Sequence, residues 1–268
     1  MPVRPITDQE IATYERDGVV CLRGLFDDAW VETMREAAEF SLTHPSEMAI
    51  EMAESRGHSG RYFFDTFIWR TNPQCRSFVF DSPAAQIVAE LTKSARVNLF
   101  FDQWLIKEPG TETPTPWHHD LPYWPIEGDQ IATLWLALDR VDLASGAVEY
   151  VTGSHRWGQR FFPETFSGMD GFTDDKPKVP DIDANRDAYD IVHFDLEPGD
   201  CTVHHSLLVH GAAGNHHAEH RRRGYVTRWA GSDARFDAHA DAVHMPPLPP
   251  LAHGDRLDSE LWPVVYSA

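Results

Sequence analysis

The sequence predicts a mainly β, α+β fold built as a double-sheet jelly roll. Helical patterns are confined to the chain before about residue 92. Seven or eight short β-rich runs follow with no helix between them. Turn pairs punctuate these runs, among them Pro109-Gly110, Gly128-Asp129, Ser145-Gly146 and Pro198-Gly199. A chain of 268 residues with no internal repeat and no linker is expected to form a single domain over 1–268.

The helices come first. Thr7-Asp8-Gln9-Glu10 fits a capping box, in which Thr7 caps the helix and Glu10 reaches back. That helix should run to about Arg16 and stop at Asp17-Gly18, with Val19–Leu22 extended after it. A second helix is expected from Asp27 to about Leu42. Trp30, Met34, Ala37, Ala38 and Ser41 lie near one face, and the aspartates sit at its positive N-terminal end. His44–Arg61 is polar and reads as a loop or irregular helix. Ser82-Pro83 is a helix start, a capping serine before proline, for a third helix reaching about Thr92. The strands should cover Val97–Ile106, Ile131–Leu138, Ala147–Val151, Ile191–Leu196, Cys201–His205, Leu207–Ala212 and Gly224–Ala230. Glu164–Asp195 carries nine acidic residues against three basic ones and reads as an insertion near the barrel mouth, a lid or a solvated loop. The tail, 245–268, begins with the stiff run Met245–Pro250. It continues into the apolar Leu261–Tyr266, which should dock on the domain.

Composition narrows the partners. With 23 basic and 42 acidic residues the net charge is −19, so nucleic acid, which needs a cationic face, is not an expected partner. The three cysteines, Cys21, Cys75 and Cys201, are odd in number and widely spaced. They form neither a disulfide framework nor a zinc motif, and a reducing cytoplasm is the expected location. The first residues lack the apolar core of a signal peptide, and no apolar run approaches a membrane span.

The chemistry is concentrated in Thr115–Trp124. On an extended backbone His118 and Asp120 project to one face and His119 to the other. One more histidine would complete the 2-His-1-carboxylate face of non-haem iron sites. His204, His205 and His210 are the candidates, and three arginines, Arg221–Arg223, begin eleven residues after His210. The set resembles the phytanoyl-CoA dioxygenase family of Fe(II)/2-oxoglutarate-dependent oxygenases. The resemblance is carried by Asp102–Gly110, His118–Trp124, Leu134–Asp139, Gly153–Arg156 and Leu208–Gly211, and it runs from about Thr7 to Ala230.

The resemblance implies a cupin-like double-stranded β-helix with the N-terminal helices packed outside. It implies Fe(II) held by His118, Asp120 and His210, with His210 favoured because it ends an apolar run and is followed by glycine. It also implies 2-oxoglutarate and O₂ as co-substrates, and hydroxylation of a small molecule with release of succinate and CO₂. Asp120 stands where related halogenases carry a small residue, which argues for hydroxylation. The far carboxylate of 2-oxoglutarate needs a planar cation. Counting from His210 favours Arg221, whereas strand alignment favours Arg222, which is the expected residue. Arg222, Gly224, Val226 and Arg228 then share one face, with Arg228 a second inward candidate and Gly224 leaving room for a ligand. Trp135 and, more weakly, Trp104 are further co-substrate candidates. Ala212 departs from family members that carry serine there. Tyr123, Trp124, Phe63-Phe64, Arg61 and the acidic stretch are expected around the substrate. Two other readings fit the histidines: a cupin-type metalloenzyme that does not use 2-oxoglutarate, and a non-enzymatic jelly-roll binding module.

Overall fold

A computed structural model describes residues 2–52, 57, 59–162, 176–240 and 245–268. Among the described residues, four α-helices precede most of the strands. α1 (Asp8–Asp17) carries the expected capping box on Thr7, and Gly18 ends it in the left-handed region at φ 78°. α2 (Asp28–Thr43) is capped by Asp27, whose carboxylate accepts from the Trp30 amide at 3.0 Å. Val31, Met34, Ala37, Ala38 and Ser41 form its buried face, with Trp30 packed beside them.

The helix expected after Ser82 is present, and a further helix not read from the sequence stands end to end before it. α3 (Pro73–Asp81) is capped by Asn72, with proline in its first turn. This is the same signal that marks Ser82-Pro83, here unread. Ser82 closes α3, and its hydroxyl accepts from the Ala84 amide to start α4 (Ala84–Thr92). No helix among the described residues is long and apolar enough to cross a membrane.

The strands are β1 (Val19–Leu22), β2 (Ile50–Glu51), β3 (Tyr62–Thr66), β4 (Arg96–Lys107), β5 (Thr115–His118), β6 (Ile126–Glu127), β7 (Ile131–Ala137), β8 (Val148–Val151), β9 (Ile191–His193), β10 (Cys201–His205), β11 (His210–Ala212), β12 (Arg222–Ala230), β13 (Arg235–Phe236) and β14 (Val264–Ser267). They form an antiparallel jelly roll. The larger sheet runs β1-β10-β7-β12-β4-β3-β2, with β14 paired to the start of β4, and the smaller runs β5-β11-β8-β9. A short β6–β13 pair stands beside them. The expected runs appear as β4, β7, β8, β9, β10, β11 and β12, whereas β2, β3, β6, β13 and β14 carry no such signal in the sequence. Of the acidic stretch, residues 164–175, together with residue 163 before it, lie outside the described residues, and its end supplies β9. Residues 53–56 and 58 of the polar stretch after α2 also lie outside them. The tail docks as expected, with Trp262 fully buried and stacked on Phe100 at 5.4 Å.

The helices cover the outer face of the larger sheet. Trp104, Ile106, Leu134, Leu136, Val203, Tyr225 and Trp229 meet Met34, Ala38, Phe78, Ile87 and Leu91 in one continuous core. Each such side chain contributes about 1.5–3 kcal/mol by leaving water. The register of β4 against β12 slips by one at Arg228–Trp229, with Phe100 the extra residue. That bulge turns Leu99 toward the helices and Phe101 toward the inner face.

Candidate active site

The inner face of the larger sheet and the smaller sheet enclose a cavity of about 1010 Å³, mouth included. Its floor is the alternate residues of four neighbouring strands: Thr133 and Trp135 of β7; Arg222, Val226 and Arg228 of β12; Phe101, Gln103 and Leu105 of β4; Tyr62, Phe64 and Thr66 of β3.

At one end three candidate ligands converge. His118 ends β5 directly opposite His210 in β11, and their rings lie 4.2 Å apart, centroid to centroid. Asp120 arrives by a different route from the one expected. It sits in the right-handed helical region (φ −69°, ψ −43°), where a 3₁₀ turn over Leu121–Tyr123 begins, so a turn rather than strand parity brings its carboxylate round to His118. The Leu121 amide fixes that turn by donating to the Ser206 carbonyl at 3.0 Å. Ligand atoms of His118, Asp120 and His210 lie within 4.8 Å of one another, and all three residues are buried. Each histidine pairs Nδ1 with the backbone oxygen two residues earlier, Pro116 for His118 and Leu208 for His210, both at 2.8 Å. A neutral ring then carries its proton on Nδ1 and turns the Nε2 lone pair to the common centre, the outer support a metal-bound histidine needs. The donor set fits a divalent first-row metal with open positions.

One oxygen of Asp120, Oδ2, is enclosed. It accepts from Thr133 Oγ1 at 2.7 Å, and His204 Nε2 and Arg228 Nε stand 3.5 and 3.8 Å away. The other, Oδ1, faces His118 Nε2 at 3.7 Å. Burial pushes the Asp120 carboxyl up, but the Arg228 charge and the surrounding imidazoles outweigh it and hold the group well below the usual carboxylate range. Burial, reinforced by His118 and His204, drives His210 well below its ordinary value, so it stays neutral.

The other histidines separate by face. His204 points inward, its ring 4.4 Å from that of His210, with neither nitrogen hydrogen-bonded. His205 points away and accepts from the Leu207 amide. His119 also faces away, accepting the Phe161 amide at 2.8 Å and pushed down to about 4 by burial.

At the other end of the floor lies Arg222, 1% exposed, its guanidinium over the Trp135 ring, donating to the Leu105 carbonyl at 3.4 Å and with the Tyr62 side chain beside it. It has no carboxylate partner among the described residues. Its neighbours do: Arg221 pairs with Glu39 and Glu108, and Arg223 with Asp139 and Glu39. The face of β12 that holds Gly224 is therefore the inner one, as read from the sequence. The space above Gly224 is not open to a ligand, however, because a Cβ there would overlap the Trp135 indole. Trp104 is placed differently from expectation. It lies on the helix side, donating to Ser41 Oγ at 3.1 Å and packed on Tyr225. Phe63 faces the helices too, Phe64, Tyr123, Trp124 and Ala212 line the cavity, and Arg61 pairs with Glu51. Thr133 and Gln103 line the site without having been read from the sequence. Thr133 stands two residues before Trp135, and strand alternation was the signal available for it.

A jelly roll with a buried His-x-Asp and distal His on its inner face defines a class of metal-dependent proteins. The sequence profile of phytanoyl-CoA dioxygenase (PhyH) matches residues 14–224, and the chain belongs to that family. A probable phytanoyl-CoA dioxygenase of Caenorhabditis elegans is 28% identical over 120 residues, 44% of this chain and 36% of that protein. The peroxisomal phytanoyl-CoA dioxygenase of Bos taurus is 23% identical over 225 residues, 75% of this chain and 62% of that protein. The chain thus spans between about a third and under two thirds of these relatives. Among solved structures, the epimerase SnoN of nogalamycin biosynthesis, in complex with Fe³⁺, alpha ketoglutarate and nogalamycin RO, superposes with a TM-score of 0.75 at 23% identity, covering 96% of this chain and 98% of that one. EctD from S. alaskensis with 2-oxoglutarate and 5-hydroxyectoine gives 0.72 at 19% identity, covering 97% and 89%. These likenesses establish the fold.

Proposed function

We propose that the protein is an Fe(II)- and 2-oxoglutarate-dependent oxygenase that hydroxylates an unactivated C–H bond of a small molecule, releasing succinate and CO₂. The observation that carries this reading is the pairing of His118, Asp120 and His210 on one inner face with a buried arginine, Arg222, that has no carboxylate partner among the described residues. The iron would supply O₂ activation. The chain's own groups hold, orient and enclose. His118, Asp120 and His210 would hold the metal. Arg222 receives the far carboxylate of 2-oxoglutarate, with Trp135 beneath the guanidinium. Thr133 fixes Asp120. Tyr123, Trp124, Phe64 and Phe101 keep water from the reacting carbon and present an apolar wall to the substrate. A cupin that dispenses with 2-oxoglutarate would leave the burial of Arg222 without a purpose.

The direct test is succinate formation from 2-oxoglutarate in air with added Fe(II), comparing wild type with Asp120→Ala. Iron-dependent succinate in the wild type and none in the folded variant is expected. Succinate at the wild-type rate in the variant would remove Asp120 from the site.

A further inference from the structure

The cavity holds a second guanidinium that the proposed co-substrate does not account for. Arg228 shares the inward face of β12 with Arg222 but stands at the metal end. It is 8% exposed, and its Nε and Nη1 are buried without a hydrogen-bond partner among the described residues. Its central carbon lies 4.6 Å from the Phe101 ring centroid and 5.6 Å from that of Trp124, and both rings line the cavity. The nearest acid oxygen, Asp120 Oδ2, is 3.8 Å from Nε, beyond hydrogen-bond reach. Buried guanidinium donors are rarely left unused, and here the flanking rings fix the plane without satisfying it.

Charge points the same way. Given the function proposed above, a divalent metal and two guanidiniums face one protein carboxylate, Asp120. A dianionic co-substrate still leaves one positive charge in an enclosed, aromatic-walled space, and a single further anion would neutralise it. The planar fork of an arginine matches a carboxylate.

We infer that Arg228 is the anchor for the substrate's own carboxylate, and that the protein acts on a free acid with an apolar body. The body lies along Phe101, Tyr123, Trp124 and Phe64. An acyl thioester, whose carboxyl is masked, offers Arg228 nothing. The same chemistry could be supplied by the inner carboxylate of 2-oxoglutarate, and the test separates the two.

Anaerobic protein is loaded with Fe(II) and 2-oxoglutarate, and the visible absorption of the metal chelate is recorded. Failure at that stage would count against the function proposed above and not against Arg228. Decanoate and 3-phenylpropanoate, each beside its primary amide, are then titrated, and shifts of the band and of tryptophan fluorescence are followed. At least one acid should bind about tenfold or more tightly than its amide, the size expected of a charge-assisted bond. Arg228→Gln should erase that preference while 2-oxoglutarate affinity stays within about twofold. Arg228→Lys, which keeps the charge but not the fork, should retain part of it. The inference is overturned if neither acid is preferred to its amide in the wild type. It is also overturned if Arg228→Gln weakens 2-oxoglutarate binding instead, which would assign Arg228 to the co-substrate.

Discussion

Replacing Arg222 by methionine should weaken 2-oxoglutarate binding while leaving the protein as stable as before, or more so. The two effects have one cause. Arg222 is fully buried, has no carboxylate partner among the described residues, and has neutral groups beside it, the Leu105 carbonyl at 3.4 Å and the Tyr62 side chain. Burial alone lowers its affinity for its proton, so in the ligand-free protein its charge is a cost. Methionine has a similar length and no charge, and removing a poorly compensated buried charge is neutral or stabilising. With 2-oxoglutarate present the sign reverses. Two charge-assisted hydrogen bonds of about 1.5–3 kcal/mol each would be lost, and the ligand carboxylate would be buried without a counter-ion. A loss of about 3–5 kcal/mol corresponds to about a hundred- to several-thousandfold in Kd. The assay is isothermal titration of 2-oxoglutarate into anaerobic, Fe(II)-loaded protein, with thermal unfolding of the metal-free protein as the companion measurement. Arg221→Met and Arg223→Met are the controls. Their guanidiniums pair with Glu39, Glu108 and Asp139 away from the cavity, so Kd should hold within about threefold. A Kd for Arg222→Met within threefold of wild type, or a large loss in Arg221→Met instead, would refute the assignment of β12's inner face.

Two further outcomes follow from the buried polar groups. Thr133→Val keeps the shape of the side chain but removes the 2.7 Å bond to Asp120 Oδ2, and Fe(II) affinity measured against a competing chelator should fall about 10–100-fold; unchanged affinity would mean that Arg228 and His204 suffice to orient the carboxylate. Asp102, beneath the helices, accepts from Tyr225 Oη and the Trp69 amide, and burial pushes it up to about 7. Its folded value lies above its unfolded one, so its contribution is fully present below about pH 4 and is lost as pH rises through 7, by about 4 kcal/mol at most. His119 and His205, both pushed down to about 4 by burial, act oppositely, their contribution being lost as pH falls from about 6.5 toward 4. The contrast between wild type and Asp102→Asn in urea unfolding at pH 5 and pH 8 isolates the aspartate. The wild type should lose stability relative to the variant between the two, and an equal difference at both would contradict the assignment.

Local signals in the sequence carried far where one segment decides the outcome. The capping box at Thr7 and the stop at Gly18 depend only on neighbours along the chain, and each stands where it was read; the aspartates read at the start of the second helix stand there too, with Asp27 as its cap. The inward face of β12 was legible because its two faces differ: three arginines in a row force alternation, and only one lineage, Arg222-Gly224-Val226-Arg228, turns its arginines into the cavity. β4 gave no such help. It is buried on both sides, so nothing in its composition tells Trp104, which faces the helices, from Gln103 and Leu105, which face the cavity. The bulge at Phe100 changes its parity as well. Gly224 illustrates a different limit, since the side chain that fills the space above it comes from Trp135 on the neighbouring strand. His118 and Asp120 were rightly paired, yet a 3₁₀ turn, which alternation cannot express, sets their geometry.

The central claim is that His118, Asp120 and His210 hold an iron that 2-oxoglutarate then chelates with its far end on Arg222. Anaerobic absorption spectroscopy tests it most directly. Adding 2-oxoglutarate to Fe(II)-loaded wild-type protein should produce a visible charge-transfer band that saturates at about one equivalent, and Asp120→Ala should give none. Wild-type protein that binds Fe(II) but shows no band at saturating 2-oxoglutarate would contradict the account.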